Sequence, residues 1–281
     1  MKIIRSVKEM QDQAILLRSQ GKTIGFAPTM GYLHDGHIAL MRQARKENDI
    51  VIASIFVNPL QFGENEDFDK YPRDEARDRK IVEKEQVDIL FLPDISEMYP
   101  NSMGVTMDVV SRIGVLCDRN RPGHFKGVIT VLTKLFHLTQ PSRAYFGLKD
   151  AQQVAVVDLL VTDLNFPIEI KMVPTVREPD GLAKSSRNVY LTEQERLESK
   201  HLYQALQLGK QKIIDGQKNP VMIVNEVKTY LKQNITGKID YLELLSYPTL
   251  SPVNLIDEQV IIAVAVQYSQ ARLIDNIIVT P

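Results

Sequence analysis

The chain of 281 residues has one cysteine, Cys117, and no tryptophan. A single thiol excludes any disulfide within the chain and fits a reducing compartment. Cys117 reads as a small buried or half-buried residue, with no nucleophile signature around it. Charge of one sign is also missing: 34 basic side chains face 35 acidic ones, for a net charge of −1. That balance argues against nucleic acid or an anionic membrane as the main partner, while local basic clusters still suit a small phosphorylated ligand. No apolar run reaches the roughly 20 residues needed to cross a bilayer. Charges break up the first nine residues, which do not read as a signal peptide, so a cytoplasmic location is expected. There is no internal repeat and no low-complexity tract. What remains is an ordinary globular composition, 44% hydrophobic and 25% charged, long enough for one large domain or two modest ones.

The rest of the chain is arranged around Pro28-Thr29-Met30-Gly31-Tyr32-Leu33-His34-Asp35-Gly36-His37. Residues 23–27 before it read as a short buried strand. Residues 37–45 after it read as a helix with Ile38 and Met41 on one side. A strand, a glycine turn and a helix N-terminus make a place for a phosphate. The first N–H groups of a helix lack internal partners, and the helix dipole favours negative charge there. His34 and His37 add donors, and Gly36 lets a ligand come close. Taken alone, the four residues His34 to His37 fit a solvated turn with two surface histidines equally well.

Residues 7–19 have helical spacing. Residues 49–57 form a strongly apolar run, the mark of a parallel strand buried on both faces. This β-α-β beginning predicts a doubly wound sheet with ligands at the carboxyl ends of its strands. The loop Asn58-Pro59-Leu60-Gln61-Phe62-Gly63 then falls at the ligand edge, where the Asn58 and Gln61 amides suit a hydroxyl or a small carboxylate. An Asn-capped Asn-Pro turn is the plainer alternative. Residues 74–86 read as a charged helix, 87–93 as the third strand and 104–110 as an edge strand. Arg121 and His124 stand just ahead of a buried helix at 128–138, placed to offer charge to an anion. His137, inside that helix, reads as a packed, hydrogen-bonded histidine.

A second strand–glycine turn–helix unit follows: strand 143–146, then Gly147-Leu148-Lys149-Asp150, then helix 151–161. Lys149 is a point charge beside a helix N-terminus. Asp150 suits a cap or an acceptor for a ribose hydroxyl. Gln152 and Gln153 lie in the first turn. Strand 168–176 leads into a loop carrying Lys184-Ser185-Ser186-Arg187, which suits closure over a triphosphate or an ordinary polar linker. After Asn188 the texture changes to helices at 193–215 and 219–233 and strands at 239–245, 259–268 and 273–279. The expected fold is therefore α/β: a Rossmann-like doubly wound parallel sheet over residues 1–181, with a smaller C-terminal α+β domain over 182–281. No metal-ligating residue is assigned.

The His-x-Gly-His pattern resembles the signature of class I nucleotidyltransferases and adenylating enzymes. The resemblance narrows with Phe56 to Gly63, Tyr71-Pro72-Arg73, Arg121 to Phe125, Phe146 to Gln153, Arg177 to Gly181 and Ser185 to Asn188, in that order. Together these motifs resemble the pantothenate synthetase (pantoate–β-alanine ligase) family over about two-thirds of the chain. The C-terminal part is similar in length and texture only. The resemblance implies ATP-dependent ligation of pantoate and β-alanine through pantoyl adenylate, with Mg²⁺ arriving on ATP, in a homodimer. It implies that Met30, Gly31, Tyr32, Leu33, His34, Asp35, Gly36 and His37 line the ATP site, with His34 and His37 on phosphates and His37 a proton donor. Gln61 and Gln153 would bind pantoate, with Asn58 and Tyr71 near the pantoate and β-alanine end and Arg121 near the phosphates. Gly147, Leu148, Lys149 and Asp150 would hold phosphate and ribose. Val176 would meet adenine through its backbone, and Lys184, Ser185, Ser186 and Arg187 would close over ATP. Lys184 stands where the family usually has Met or Leu. A different adenylyl-transferring enzyme and a nucleotide-binding regulator without turnover are the competing readings.

Overall fold

A computed structural model describes residues 1–63 and 68–281. The chain divides into two compact units. The first comprises Met1–Val109, Arg121–Leu148 and Val156–Pro174. The second comprises Val110–Asn120, Lys149–Ala155 and Thr175–Pro281.

In the first unit, β1 (Lys2–Ile4), α1 (Val7–Ser19), β2 (Ile24–Thr29), α2 (Asp35–Glu47), β3 (Ile50–Ile55), α3 (Glu75–Lys84), β4 (Ile89–Phe91) and α4 (Ile95–Met98) are followed by α5 (His124–Thr139), β5 (Arg143–Gly147), the part of α6 (Ala151–Asp163) from Val156 onward, and β6 (Glu169–Val173). The strands form one sheet in the order β1-β4-β3-β2-β5-β6, and every pairing is parallel. Side chains alternate faces along a strand. Ala27, Val51, Ala53, Leu90 and Tyr145 pack on one face with Leu40 and Met41 of α2 and Val82 of α3. On the other face Phe26 meets Phe136 of α5 edge-on, with ring centroids 6.4 Å apart. Helices therefore cover both faces, which is why the strands read as near-continuous apolar runs. The chain winds from β2 through β3 to β4 in one direction, then returns to place β5 on the other side of β2. That reversal opens a crevice outside the carboxyl ends of β2 and β5, and the histidine turn leaves β2 there.

The second unit contains α7 (Glu193–Ile214), α8 (Pro220–Asn234), β7 (Lys238–Ser246), β8 (Val260–Gln267) and β9 (Arg272–Val279). The strands form an antiparallel meander, β7-β8-β9. Ile262 and Val264 of β8 face Leu202 and Leu206 of α7 and Val227 and Leu231 of α8. Ile261, Ala263 and Ala265 face the other way and are covered by Leu116, Ala151 and Ala155. Thr192 and Glu195 form a reciprocal capping box that starts α7.

Three expectations change. β1 is a strand the pattern did not show, three residues long and paired with β4. Residues 104–110 form no strand; Val105 and Val110 are 73% and 91% exposed, and among the described residues no strand pairs with them. A half-apolar alternation needs a neighbouring strand edge to become a strand. His137 is exposed rather than packed inside α5, with its ring tilted against Phe166.

Candidate active site

In the first unit the histidine turn is held from inside. Gly31 and Tyr32 both have positive φ, +84° and +48°. The tight turn brings the consecutive N–H groups of Tyr32 and Leu33 to one side, an anion-binding nest. The Asp78 carboxylate of α3 fills it, accepting from Tyr32 N at 2.7 Å and Leu33 N at 2.8 Å. Asp78 is 1% exposed. Burial raises its pKa, opposed by the two N–H bonds and by Arg77. Arg77 donates to the Leu33 carbonyl at 2.7 Å and lies over the Tyr32 ring.

His34 is the N-cap of α2. Its Nδ1 accepts from Gly36 N at 3.1 Å, and His37 Nδ1 accepts from His34 N at 3.3 Å. The two rings lie 4.1 Å apart and tilted by 33°. A neutral imidazole that accepts at Nδ1 carries its proton on Nε2. Both rings therefore become Nε2–H donors. The N–H groups of Gly31, Tyr32, Leu33, His34 and Gly36 all have acceptors within the protein. The sequence pattern offers these N–H groups to a phosphate; the structure uses them within the protein. Gly36 is required because a Cβ there would lie 2.8 Å from His34 Cε1.

Beyond β3 the chain forms a short 3₁₀ turn, Pro59–Gln61. Asn58 caps it and is 1% exposed. Its Oδ1 accepts from Leu60 N at 3.3 Å and Tyr99 Oη at 2.9 Å. Its Nδ2 donates to Gln61 Oε1 and to Gly127 O, each at 3.0 Å. The amide is thus saturated, and what it does is orient Gln61. Gln61 Nε2 faces Met30 Sδ at 3.6 Å, a weak acceptor that an oxygen ligand would outcompete. Burial pushes the Tyr99 phenol above its ordinary pKa, so it stays a neutral donor. The Gln61 carbonyl accepts from His124 Nδ1 at 2.8 Å and from Arg121 at 3.3 Å. A proton on His124 Nδ1 leaves Nε2 to accept from Arg121 Nη1 at 3.1 Å. Tyr71 is buried with its ring edge-on to Phe62. Gly147 and Leu148, half-buried, end β5 on this unit.

Lys149, Asp150, Gln153, Val176 and residues 184–187 belong to the second unit. Lys149 is half-buried and Asp150 exposed. Asn276 Nδ2 holds the Lys149 carbonyl at 2.9 Å. Lys149 and Ser185 line a small cavity of about 10 Å³ with Asn188 and Asp275, room for about one water. Gln152 binds the backbone of Arg112, Val115 and Cys117 and is buried; Gln153, beside it, is half-buried. The Val176 carbonyl accepts from Lys184 N at 2.9 Å. Lys184 Nζ pairs with Glu178 at 2.8 Å. Ser185 caps the 3₁₀ turn Ser186–Tyr190 by accepting from Arg187 N at 3.2 Å. Ser186 is buried and Arg187 half-buried. Arg177 anchors this loop to β9: it makes a bidentate pair with Asp275 at 2.6 and 2.9 Å and stacks on Tyr203 at 3.7 Å. Burial raises the Asp275 pKa against the pull of Arg177.

A sequence model described as pantoate-beta-alanine ligase matches residues 2–278. The chain belongs to the pantoate–β-alanine ligase family. It is 57% identical to a pantothenate synthetase of Bacillus cytotoxicus over all of this chain and 99% of that one. It is 58% identical to one of a Geobacillus species, over 98% of both chains. The crystal structure of a pantothenate synthetase from Thermus thermophilus superposes with a TM-score of 0.93 at 43% identity, over 100% of both chains. A Francisella tularensis pantoate-beta-alanine ligase, complexed with beta-gamma ATP and beta-alanine, gives 0.79 at 33% identity, over 99% of this chain and 97% of that one.

Within this pantoate–β-alanine ligase fold, sequence reasoning missed the residues that hold the motif residues. Asp78 and Arg77 sit in a charged run, Arg77-Asp78-Arg79-Lys80, that looks like a solvated helix face. Tyr99 lies in an irregular stretch. Asp275 and Asn276 did carry a signal, since they interrupt the apolar strand Ile274 to Val279 with two adjacent polar residues. Among the described residues, no group of three or more His, Cys, Asp or Glu is placed to hold a metal ion.

Proposed function

We propose that this chain ligates pantoate and β-alanine to pantothenate at the expense of ATP, through pantoyl adenylate. A pantoate carboxylate oxygen attacks the α-phosphorus. The bond from that phosphorus to the bridging oxygen breaks, and pyrophosphate leaves. The β-alanine amine then attacks the acyl carbon, the bond to AMP oxygen breaks, and the nitrogen gives up its proton. A carboxylate is a poor acyl donor until adenylation supplies a good leaving group, so no nucleophilic side chain is needed.

The observation that carries this reading is the His34–His37 pair, each ring locked at Nδ1 and so presenting Nε2–H. Fixed donors of this kind stabilise phosphate charge without reorganising. In this assignment His34 and His37 bind phosphate oxygens, and His37 gives a proton to the departing pyrophosphate. Met30 to His37 line the ATP site. Gln61 and Gln153 bind pantoate, Asn58 orients Gln61, Tyr71 serves the β-alanine end, and Arg121 adds positive charge. On the second unit, Lys149 and Arg187 neutralise phosphate charge. Gly147, Leu148, Asp150 and Val176 serve phosphate, ribose and adenine, and Lys184 to Ser186 belong to the closing loop. Mg²⁺ comes with ATP, keeps most of its waters and needs few protein ligands. A homodimer in the cytoplasm completes the reading, supported by the family resemblance alone.

Product analysis tests it. ATP, Mg²⁺ and pantoate are incubated with and without β-alanine, and nucleotides and acyl products are separated. AMP, pyrophosphate and pantothenate are expected only with both substrates. ADP and phosphate would replace the adenylate route with an acyl phosphate and remove the roles given to the histidines.

A further inference from the structure

The segment from β2 to α2 is only five residues long, Met30 to His34. Its middle is in a conformation that Gly31 adopts freely and Tyr32 does not. A non-glycine residue persists there only when its surroundings over-determine it. The surroundings come from α3, over forty positions later in the chain.

We propose that Asp78 and Arg77 are positioning residues for the phosphate-binding histidines: a two-residue clamp that fixes the backbone of Gly31, Tyr32 and Leu33 and so aims His34 and His37. The inference rests on the adenylating role given to those histidines above. The two Asp78 oxygens take one N–H each, at 2.7 and 2.8 Å. Arg77 holds the opposite edge of the same peptide run by donating to Leu33 O at 2.7 Å, and its guanidinium covers the Tyr32 ring with the carbon 5.1 Å from the centroid. Arg77 also approaches Asp78 Oδ1 at 3.4 Å, partly compensating the buried charge. Gly31 makes the approach possible: a Cβ there would stand 3.1 Å from Asp78 Oδ2 and 2.9 Å from Ile55 Cγ2.

His34 follows Leu33 directly and begins α2. Its N–H goes to His37 Nδ1, and its own Nδ1 takes Gly36 N. A rotation of the Leu33 peptide would therefore move both rings and break the hydrogen bonds that fix their tautomers. The clamp also takes up the Tyr32 and Leu33 N–H groups that the sequence pattern would offer to a phosphate. The nest that could hold an anion already holds one, supplied by the protein. A buried carboxylate close to a triphosphate site opposes anion binding, so its persistence needs a compensating use. Holding the donors in place is that use.

The test uses Asp78→Asn in the full chain. The amide keeps the shape but presents N–H toward one of the two backbone N–H groups. Three readouts are taken: the single-turnover rate of pantoyl-adenylate formation, KM for β-alanine, and ¹³C–¹H spectra of the ε1 positions of the five histidines. An aim error of about 1 Å predicts a loss of roughly a hundredfold in adenylation with KM for β-alanine unchanged. The His34 and His37 signals move, while those of His137 and His201 stay. Arg77→Ala, at a half-exposed side chain, is the second variant; about a tenfold loss with the same two signals moving is expected. A folded Asp78→Asn protein that keeps its rate and both histidine signals would overturn the clamp. If that variant does not fold, Arg77→Ala with full rate and unmoved signals would overturn it equally. A wild-type chain that forms no AMP from both substrates would count against the ligase reading, and the histidine spectra would still decide the clamp.

Discussion

Gly127 lies inside α5, where a helix would gain from alanine. A Cβ at this position would stand 2.1 Å from Leu60 O and 2.4 Å from Leu60 C, both backbone atoms of the 3₁₀ turn that carries Gln61. Real Cβ atoms essentially never come closer than 3.0 Å, so Gly127→Ala forces the turn back by roughly 0.9 Å, the difference between those distances. The same displacement breaks the Asn58 Nδ2 bond to Gly127 O, now 3.0 Å, and frees the amide that orients Gln61. Three effects compete in stability. Overpacking costs about 1–3 kcal/mol, the stranded Asn58 donor costs about 1–3 kcal/mol more, and replacing a helical glycine recovers about 1 kcal/mol. The net loss is about 1–5 kcal/mol, about 2–4 °C in Tm for each kcal/mol. Activity has no such offset, because a misplacement near 1 Å costs about a hundredfold. The expected result is a folded protein whose kcat/KM for pantoate falls about a hundredfold while its KM for ATP barely changes. Urea or thermal denaturation and steady-state kinetics with each substrate varied measure both. A folded Gly127→Ala enzyme with wild-type kcat/KM for pantoate would refute the argument that this turn sets the position of Gln61.

Lys149→Ala is expected to slow single-turnover formation of pantoyl adenylate by roughly a hundredfold or more, the scale of losing one fixed charge donor; quench-flow with labelled ATP measures it. Lys184→Met is expected to stay within about fivefold of the wild-type rate, since Lys184 Nζ is turned to Glu178 in a partly buried pair and a pair worth about 1 kcal/mol corresponds to about fivefold; the same assay checks it. Glu195 accepts from the N–H groups of Ser269 and Thr192, which lower its pKa from 4.5 to about 2. The folded value is the lower one, so this stabilisation is fully present above pH 4.5 and lost as pH falls toward 2. Glu195→Gln should therefore cost stability at neutral pH and progressively less in acid, read as the wild-type minus variant difference in urea midpoint across that range.

The fold was legible wherever one physical signal dominated. Ile50 to Ile55 reads as a buried parallel strand because only the small hydroxyl of Ser54 interrupts its apolar run, and the structure buries it between β2 and β4. The C-terminal meander was legible because three apolar runs follow two periodic helices. β1 was not, because three residues, Lys2 among them and Arg5 next, carry too little pattern, and their strand state depends on Asp88 and Phe91 far along the chain. Residues 104–110 show the reverse failure, a local alternation without an edge to join. At the candidate site, the strand–turn–helix placement of Met30 to His37 was legible from glycine and apolar spacing. Which group holds the backbone of that turn was not. It is Asp78, whose charge looks like solvent-facing decoration until α3 is folded against the turn. Lys184 is a similar case: its partner Glu178 lies six residues away, across a reversal that the isolated bridge between Arg177 and Ala183 creates.

Asp78 and Asp275 belong to different units, yet they solve one problem. Each is almost wholly buried, 1% and 3% exposed, and each has its pKa raised by that burial. A buried carboxylate is tolerated only when its oxygens are saturated by donors. Saturation is also a geometric constraint. Asp78 can be satisfied only while Tyr32 and Leu33 N–H converge on it, and Asp275 only while Arg177 reaches it in bidentate fashion. The energetic penalty for letting go is what makes each an effective anchor: the histidine turn cannot relax without stranding Asp78, nor can the Arg177 loop without stranding Asp275. Each hydrogen bond to a charged group is worth about 1.5–3 kcal/mol, so the two backbone N–H bonds on Asp78 together outweigh the roughly 1–3 kcal/mol of strain at a left-handed Tyr32. The anchor therefore wins, and the turn keeps the strained shape from which His34 and His37 extend.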